Sequence, residues 1–212
     1  MTEQARQMDR FGSEDMALPE LKLVQNVGGD EAKVFGAKPG DLYCTLTNTV
    51  YPADKGIDIV IVDMQKTRTF WGRSDISEEP PECASLNADA MISITGVDCK
   101  TCPNRVDIAG LLEASERRGK CLLNYNVLAI DKETEMPFII RTSGISTKAV
   151  RELLTQLRMN RPLKRQYYRA IVHVSSMKKK TVSGEAYAYQ FKVVKLLPDG
   201  EEAQNLAALS NQ

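Results

Sequence analysis

Four cysteines, Cys83, Cys99, Cys102 and Cys121, stand in the spacing C-x15-C-x2-C-x18-C, and this pattern restricts the fold more than any other feature of the chain. Two thiolates on a tight turn such as DCKTCPN can share one metal ion. Zinc in a structural role prefers four soft ligands in a closed tetrahedron. Cys83 follows Pro80 and Pro81 on a loop and Cys121 opens a strand pattern, so both can converge on the turn. A zinc ion held this way ties an acidic insertion at about 74–121 to the rest of the molecule, and metal affinity becomes folding energy. Four separate buried thiols are the plain alternative, and an iron–sulfur cluster is the chemical one. The fifth cysteine, Cys44, sits mid-strand among apolar neighbours and reads as a core thiol. No βαβ pattern surrounds the CxxC pair, which argues against a thioredoxin-like role.

The remaining pattern is that of a mainly β domain. Residues 42–51 alternate as a half-buried strand does, and DIVIVD (58–63) is a continuous β-branched run suited to a central strand, extended by TRTFW after a kink near Gln65. After the insertion, CLLNYNVLAI and MPFIIRT flank the polar turn DKETE and read as a hairpin. In STKAVRELLTQLRMN, Val150, Leu153, Leu154 and Leu157 fall on one helical stripe, with Ser146 or Thr147 placed to cap its start. Two long strands follow, QYYRAIVHVSSM and EAYAYQFKVVKL, joined by KKKTVSG as a basic, flexible hairpin tip. Strand, insertion, strand, strand, helix, strand, strand is the order of an OB-fold, a five-stranded barrel that often holds oligonucleotides. The expected organisation is a polar arm at 1–17, an OB-like barrel with its zinc-binding insertion at 18–197, and a tail at 198–212.

Charge is unevenly spread. Twenty-eight basic and 28 acidic residues cancel overall, yet residues 141–195 carry 13 basic residues against two acids, a net +11 that leaves −11 for the remainder. A polyanion-binding face on an acidic body is the expectation. Single-strand binding needs a cationic groove interleaved with aromatic platforms, and this segment supplies both. Arg161, Lys164, Arg165 and Arg169 surround Tyr167 and Tyr168. Lys178, Lys179 and Lys180 sit at the hairpin, followed by Tyr187, Tyr189 and Phe191, and Trp71 at a strand end reads equally as core or as a further platform. Tyr187, Tyr189 and Phe191 share a strand face and could equally be core.

Catalysis lacks its usual tools. The one histidine, His173, lies inside a strand pattern and reads as structural, and no phosphate-cradling loop or HExxH is present. Asp58, Asp63 and Lys66 imitate a nuclease carboxylate–lysine set poorly, because DMQK has Gln where a carboxylate belongs. No apolar run reaches the ~18 residues of a membrane span, and the polar start lacks a signal-peptide core, so a cytoplasmic location is expected.

The segments LPELKLVQ, AKPGDLY, RTFW, PPEC…CKTCPN…GKC…YNVLAID and YYRAIVHVSS together resemble a family of phage and mobile-element proteins sharing a PxC…CxxCP…C arrangement and a C-terminal strand pair. The likeness spans roughly 18–197 and implies a metal role for Cys83, Cys99, Cys102 and Cys121. The expected function is sequence-tolerant single-stranded DNA binding, with DNA favoured over RNA, in phage replication or recombination, alongside partners from that machinery. The alternatives are a zinc-stabilised adaptor for an acidic protein partner and, more weakly, an iron–sulfur nuclease.

Overall fold

The computed structural model describes residues 18–26, 35–71, 81–88, 92–106, 119–160, 163, 166–181 and 184–198. In chain order these form β1 (Leu21–Leu23), β2 (Leu42–Cys44), β3 (Val50–Tyr51), β4 (Ile57–Phe70), β5 (Cys83–Ser85), β6 (Arg105–Val106), β7 (Cys121–Asp131), β8 (Pro137–Thr142), helix α1 (Thr147–Met159), β9 (Ala170–Thr181) and β10 (Gly184–Leu196). The architecture is mainly β. Strands β1, β2 and β3 make a small antiparallel sheet, and the other seven make a larger one in the order β10-β9-β4-β7-β6, with β5 on β4 and β8 on β7.

Strand β4 holds the large sheet together because both its edges are used. Its first four residues pair with β9, its last three pair with β5, and most of its length pairs with β7. The apolar run and TRTF are one strand, with Trp71 just beyond its end, and the expected kink near Gln65 is instead a register shift between Ile61 and Asp63. Strand β7 alternates between buried and half-buried positions along its full length, as a strand with one core face must. Leu123, Tyr125, Val127 and Ala129 of that face meet Ile59 and Ile61 of β4 and Phe138 and Ile140 of β8 in the main core.

Helix α1 lays Val150, Leu153 and Leu157, each fully buried, against β10 and β7. Its start departs from the expected cap. A 3-10 turn (Gly144–Ser146) precedes the helix, Ser146 itself is helical, and neither hydroxyl caps. The Ser146 hydroxyl accepts from Tyr189 N at 3.2 Å, and that of Thr147 donates to Gly144 O at 2.8 Å. The expected strand over 42–51 is likewise two short strands around a turn, in which Asn48 adopts φ 56°, a conformation Asn tolerates better than most residues. Tyr51 then ties this hairpin to the large sheet, its hydroxyl donating to Asp131 at 3.3 Å. Burial, with Asp131 adding to it, pushes the Tyr51 pKa up to about 12.

The expected five-stranded barrel is not closed. Strands β8 and β10 lie on opposite sides of the pairing path and share no ladder among the described residues. The reason is local. Gln25 exchanges two hydrogen bonds with the backbone of Tyr187, both 2.9 Å, Asn26 donates to Glu185 O at 2.8 Å, and Ser146 takes Tyr189 N. Side chains thus occupy the β10 edge that closure requires, a common way of blunting a free edge. The N-terminal segment fills the gap. Glu20 bridges to Ile139 of β8, and Leu21 O accepts the Tyr189 hydroxyl of β10 at 2.7 Å.

Candidate metal centre and nucleic-acid interface

The cysteine-rich insertion lies between β4 and β7, as its sequence position requires, and three short features set its thiols around one cavity. Strand β5 pairs antiparallel with the end of β4, setting Cys83 opposite Phe70. Strand β6 runs parallel to β7, setting Arg105 beside Cys121, and Cys121 N donates to Asn104 O at 2.6 Å. The CxxC turn is shaped by Asp98, whose carboxylate accepts from Lys100 N at 2.7 Å while its carbonyl accepts from Thr101 Oγ1 at 3.4 Å. Asp is favoured there because its side chain can stand in for a turn's backbone acceptor.

The result is a cavity of about 340 Å³ lined by all four of Cys83, Cys99, Cys102 and Cys121, together with Arg68, Arg105 and Glu82. Cys99 and Cys121 are buried and Cys83 and Cys102 half-buried, all as free thiols. Burial pushes the Cys121 thiol up, and the Arg68 guanidinium beside it pulls the other way. The donor chemistry suits zinc. The thiols have not converged, however, and among the described residues no group of three or more His, Cys, Asp or Glu side chains is arranged to hold an ion as it stands. The Cys83 sulfur instead lies 3.5 Å from the Thr95 hydroxyl. Cys44 is 2% exposed in the main core, away from this cavity.

Among the described residues, those expected to contact nucleic acid are not gathered in one channel. Arg161, Lys164 and Arg165 lie outside the described residues. Arg169 is buried, and its guanidinium donates twice to Leu197 O, at 3.1 and 3.2 Å, and to Gln166 at 3.2 Å. It pins the exit of β10 rather than facing solvent. Tyr189 and Phe191 are core residues stacked on each other, and burial drives the Tyr189 pKa upward. Tyr187 is held by Gln25 and packs so closely over Gly40 that a Cβ there would stand 2.7 Å from its ring. These burials correct the expectation that Arg169 and Tyr189 face a bound strand.

Lys178, Lys179 and Lys180 are not a loose tip, because they pair with Tyr187, Ala186 and Glu185 within the β9–β10 ladder. Lys178 bonds Glu185 at 2.6 Å, which raises its pKa. Tyr167 and Tyr168 are half-buried in a 3-10 turn before β9, ~30 Å along the strand from the lysines at about 3.3 Å per residue. Trp71 follows β4 beside the cysteine insertion. Replacing Arg169 by Met is expected to cost about 2–4 kcal/mol of stability through lost charge-assisted hydrogen bonds. The salt dependence of any oligonucleotide binding should stay unchanged; paired melting and binding titrations check both.

The residues resembling a nuclease set do not assemble. Asp58 and Asp63 lie on the outer face of β4, where Asp58 Oδ1 meets His173 Nδ1 at 2.7 Å and Asp63 holds Gln65 at 3.1 Å. Lys66, opposite the core residue Tyr125, lies on the other face. Arg68 and Arg105, which line the thiol cavity, went unnoticed in the sequence. A charged residue inside the otherwise strand-like TRTFW was the available signal.

A mainly β protein with a thiol-lined cavity beside its sheet is the class these features define. The chain belongs to the Pam3 phage gp34-like protein family, whose family model matches residues 1–209, and it is therefore a phage-type protein. Comparisons with curated proteins and with solved structures found no match. Among the described residues no helix is long and apolar enough to cross a membrane.

Proposed function

We propose that this protein is a non-enzymatic, zinc-braced binding protein that engages single-stranded nucleic acid, DNA before RNA, in phage replication or recombination. The observation that supports the metal half is that four cysteines, far apart in sequence, line one cavity. Cys83, Cys99, Cys102 and Cys121 would hold the ion, whose role would be to brace the insertion rather than to react. Support for the nucleic-acid half is narrower. The pairings β4–β7, β7–β8, β4–β9 and β9–β10 follow the connectivity of an OB-fold left partly open. The cationic β9–β10 hairpin corresponds to its last loop, and the cysteine insertion to its first, the two loops that frame oligonucleotides in that fold. With Tyr189, Phe191 and Arg169 committed to the interior, the candidate contact surface among the described residues is Lys178, Lys179 and Lys180, with Tyr168 and Trp71 as candidate platforms; Arg161, Lys164 and Arg165 lie outside the described residues.

The test is binding of short single-stranded oligonucleotides across a salt series, with metal content measured on the same sample. Affinity should fall steeply with salt. Salt-insensitive or absent binding moves the reading to an adaptor whose basic hairpin meets an acidic protein, which the exposed Lys178 and Lys180 also favour.

A further inference from the structure

We propose that Arg68 is the charge partner of the four-thiol centre, a positioning residue whose guanidinium offsets the negative charge collected in the cavity. The inference rests on reading Cys83, Cys99, Cys102 and Cys121 as ligands of one ion. Arg68 is 3% exposed. It stands on the core face of β4, in register with Leu123 of β7 and Ser85 of β5, where a sheet normally presents an apolar side chain. Buried cations are expensive and persist where something nearby needs their charge.

The position of the guanidinium indicates what needs it. It lines the cavity that the four thiols line. Its Nη1 donates to Val106 O at 3.2 Å and to Cys121 O at 3.5 Å, so it also holds the backbone that carries one ligand. Among the described residues, Arg105 adds a second cation to the lining, which also carries the carboxylate of Glu82. A zinc ion with four thiolates is a dianion, and groups around such a centre tune its affinity through charge and hydrogen bonding. Two guanidinium groups at the wall suit that charge, whereas four neutral thiols need neither.

The experiment compares zinc affinity of the full chain, by competition with a chromophoric chelator, in wild type, Arg68→Met and Arg68→Lys. The fold of each is checked by far-ultraviolet circular dichroism. Arg68→Met is expected to bind zinc roughly 10–100-fold more weakly, the range for loss of an outer-shell partner. Arg68→Lys, which keeps the charge but not the planar fork, should recover most of that loss. Wild-type affinity in Arg68→Met, or equal losses in Met and Lys, overturns the proposal, because a purely packing role would not distinguish by charge. If Arg68→Met does not fold, Arg68→Gln takes its place with the same two outcomes. Failure of the wild type itself to take up zinc removes the ligand reading, and this inference with it.

Discussion

Removing metal with a strong chelator is expected to lower the melting temperature by roughly 8–16 °C and to open the cysteine insertion to proteases while strands β4 and β7 to β10 of the large sheet stay intact. The described residues of the insertion are held to the sheet by short ladders. Strands β5 and β6 contribute three and two residues of ladder, and Leu86, Ile92, Ile94 and Val97 are exposed rather than packed. Structural zinc in small domains carries an apparent binding free energy of about 10–16 kcal/mol. If about a third of that reaches net stability, the loss is about 4 kcal/mol, which gives the stated shift for a chain of this size. The large sheet has its own core around Ile59, Val127, Phe138 and Leu153 and does not depend on the ion. Scanning calorimetry and limited proteolysis with and without chelator read both effects. Identical melting and identical cleavage would mean that the thiols are ordinary packing groups.

Replacing Lys178, Lys179 and Lys180 together by Ala should weaken oligonucleotide binding about 10–100-fold at low salt. The slope of log affinity against log salt should fall by about 1.4–2, from ~0.7 per phosphate contact on a single strand. The lower bound reflects Lys178, which already pairs with Glu185 and must give up that bond to meet a phosphate. For the same reason Glu185→Gln should strengthen binding modestly. Fluorescence anisotropy across a salt series measures each. A slope unchanged in the triple variant takes the hairpin out of the interface, and the acidic-partner reading then gains.

Much of the fold was legible because its signals were local. The period-two pattern of CLLNYNVLAI and EAYAYQFKVVKL became β7 and β10, and the Val150, Leu153, Leu157 stripe became the buried face of α1. Barrel closure was not legible. It depends on whether the β10 edge is free, and Gln25, Asn26 and Ser146, remote in sequence, decide that through side-chain bonds. That the four cysteines share one cavity could be anticipated from the CxxC pair and its flanking thiols. The nucleic-acid face could not, because Tyr189 and Arg169 look alike in sequence whether they face solvent or the interior. Tyr189 went inward because its hydroxyl finds Leu21 O, and Arg169 because Leu197 O satisfies its guanidinium.

The most direct measurement is the elemental content of the purified, full-length chain. Cys83, Cys99, Cys102 and Cys121 acting as one ligand set predicts one zinc per chain, lost when Cys99 and Cys102 are both changed to Ser. Protein that folds fully with no bound metal and four freely reactive thiols, or that carries iron instead, contradicts it.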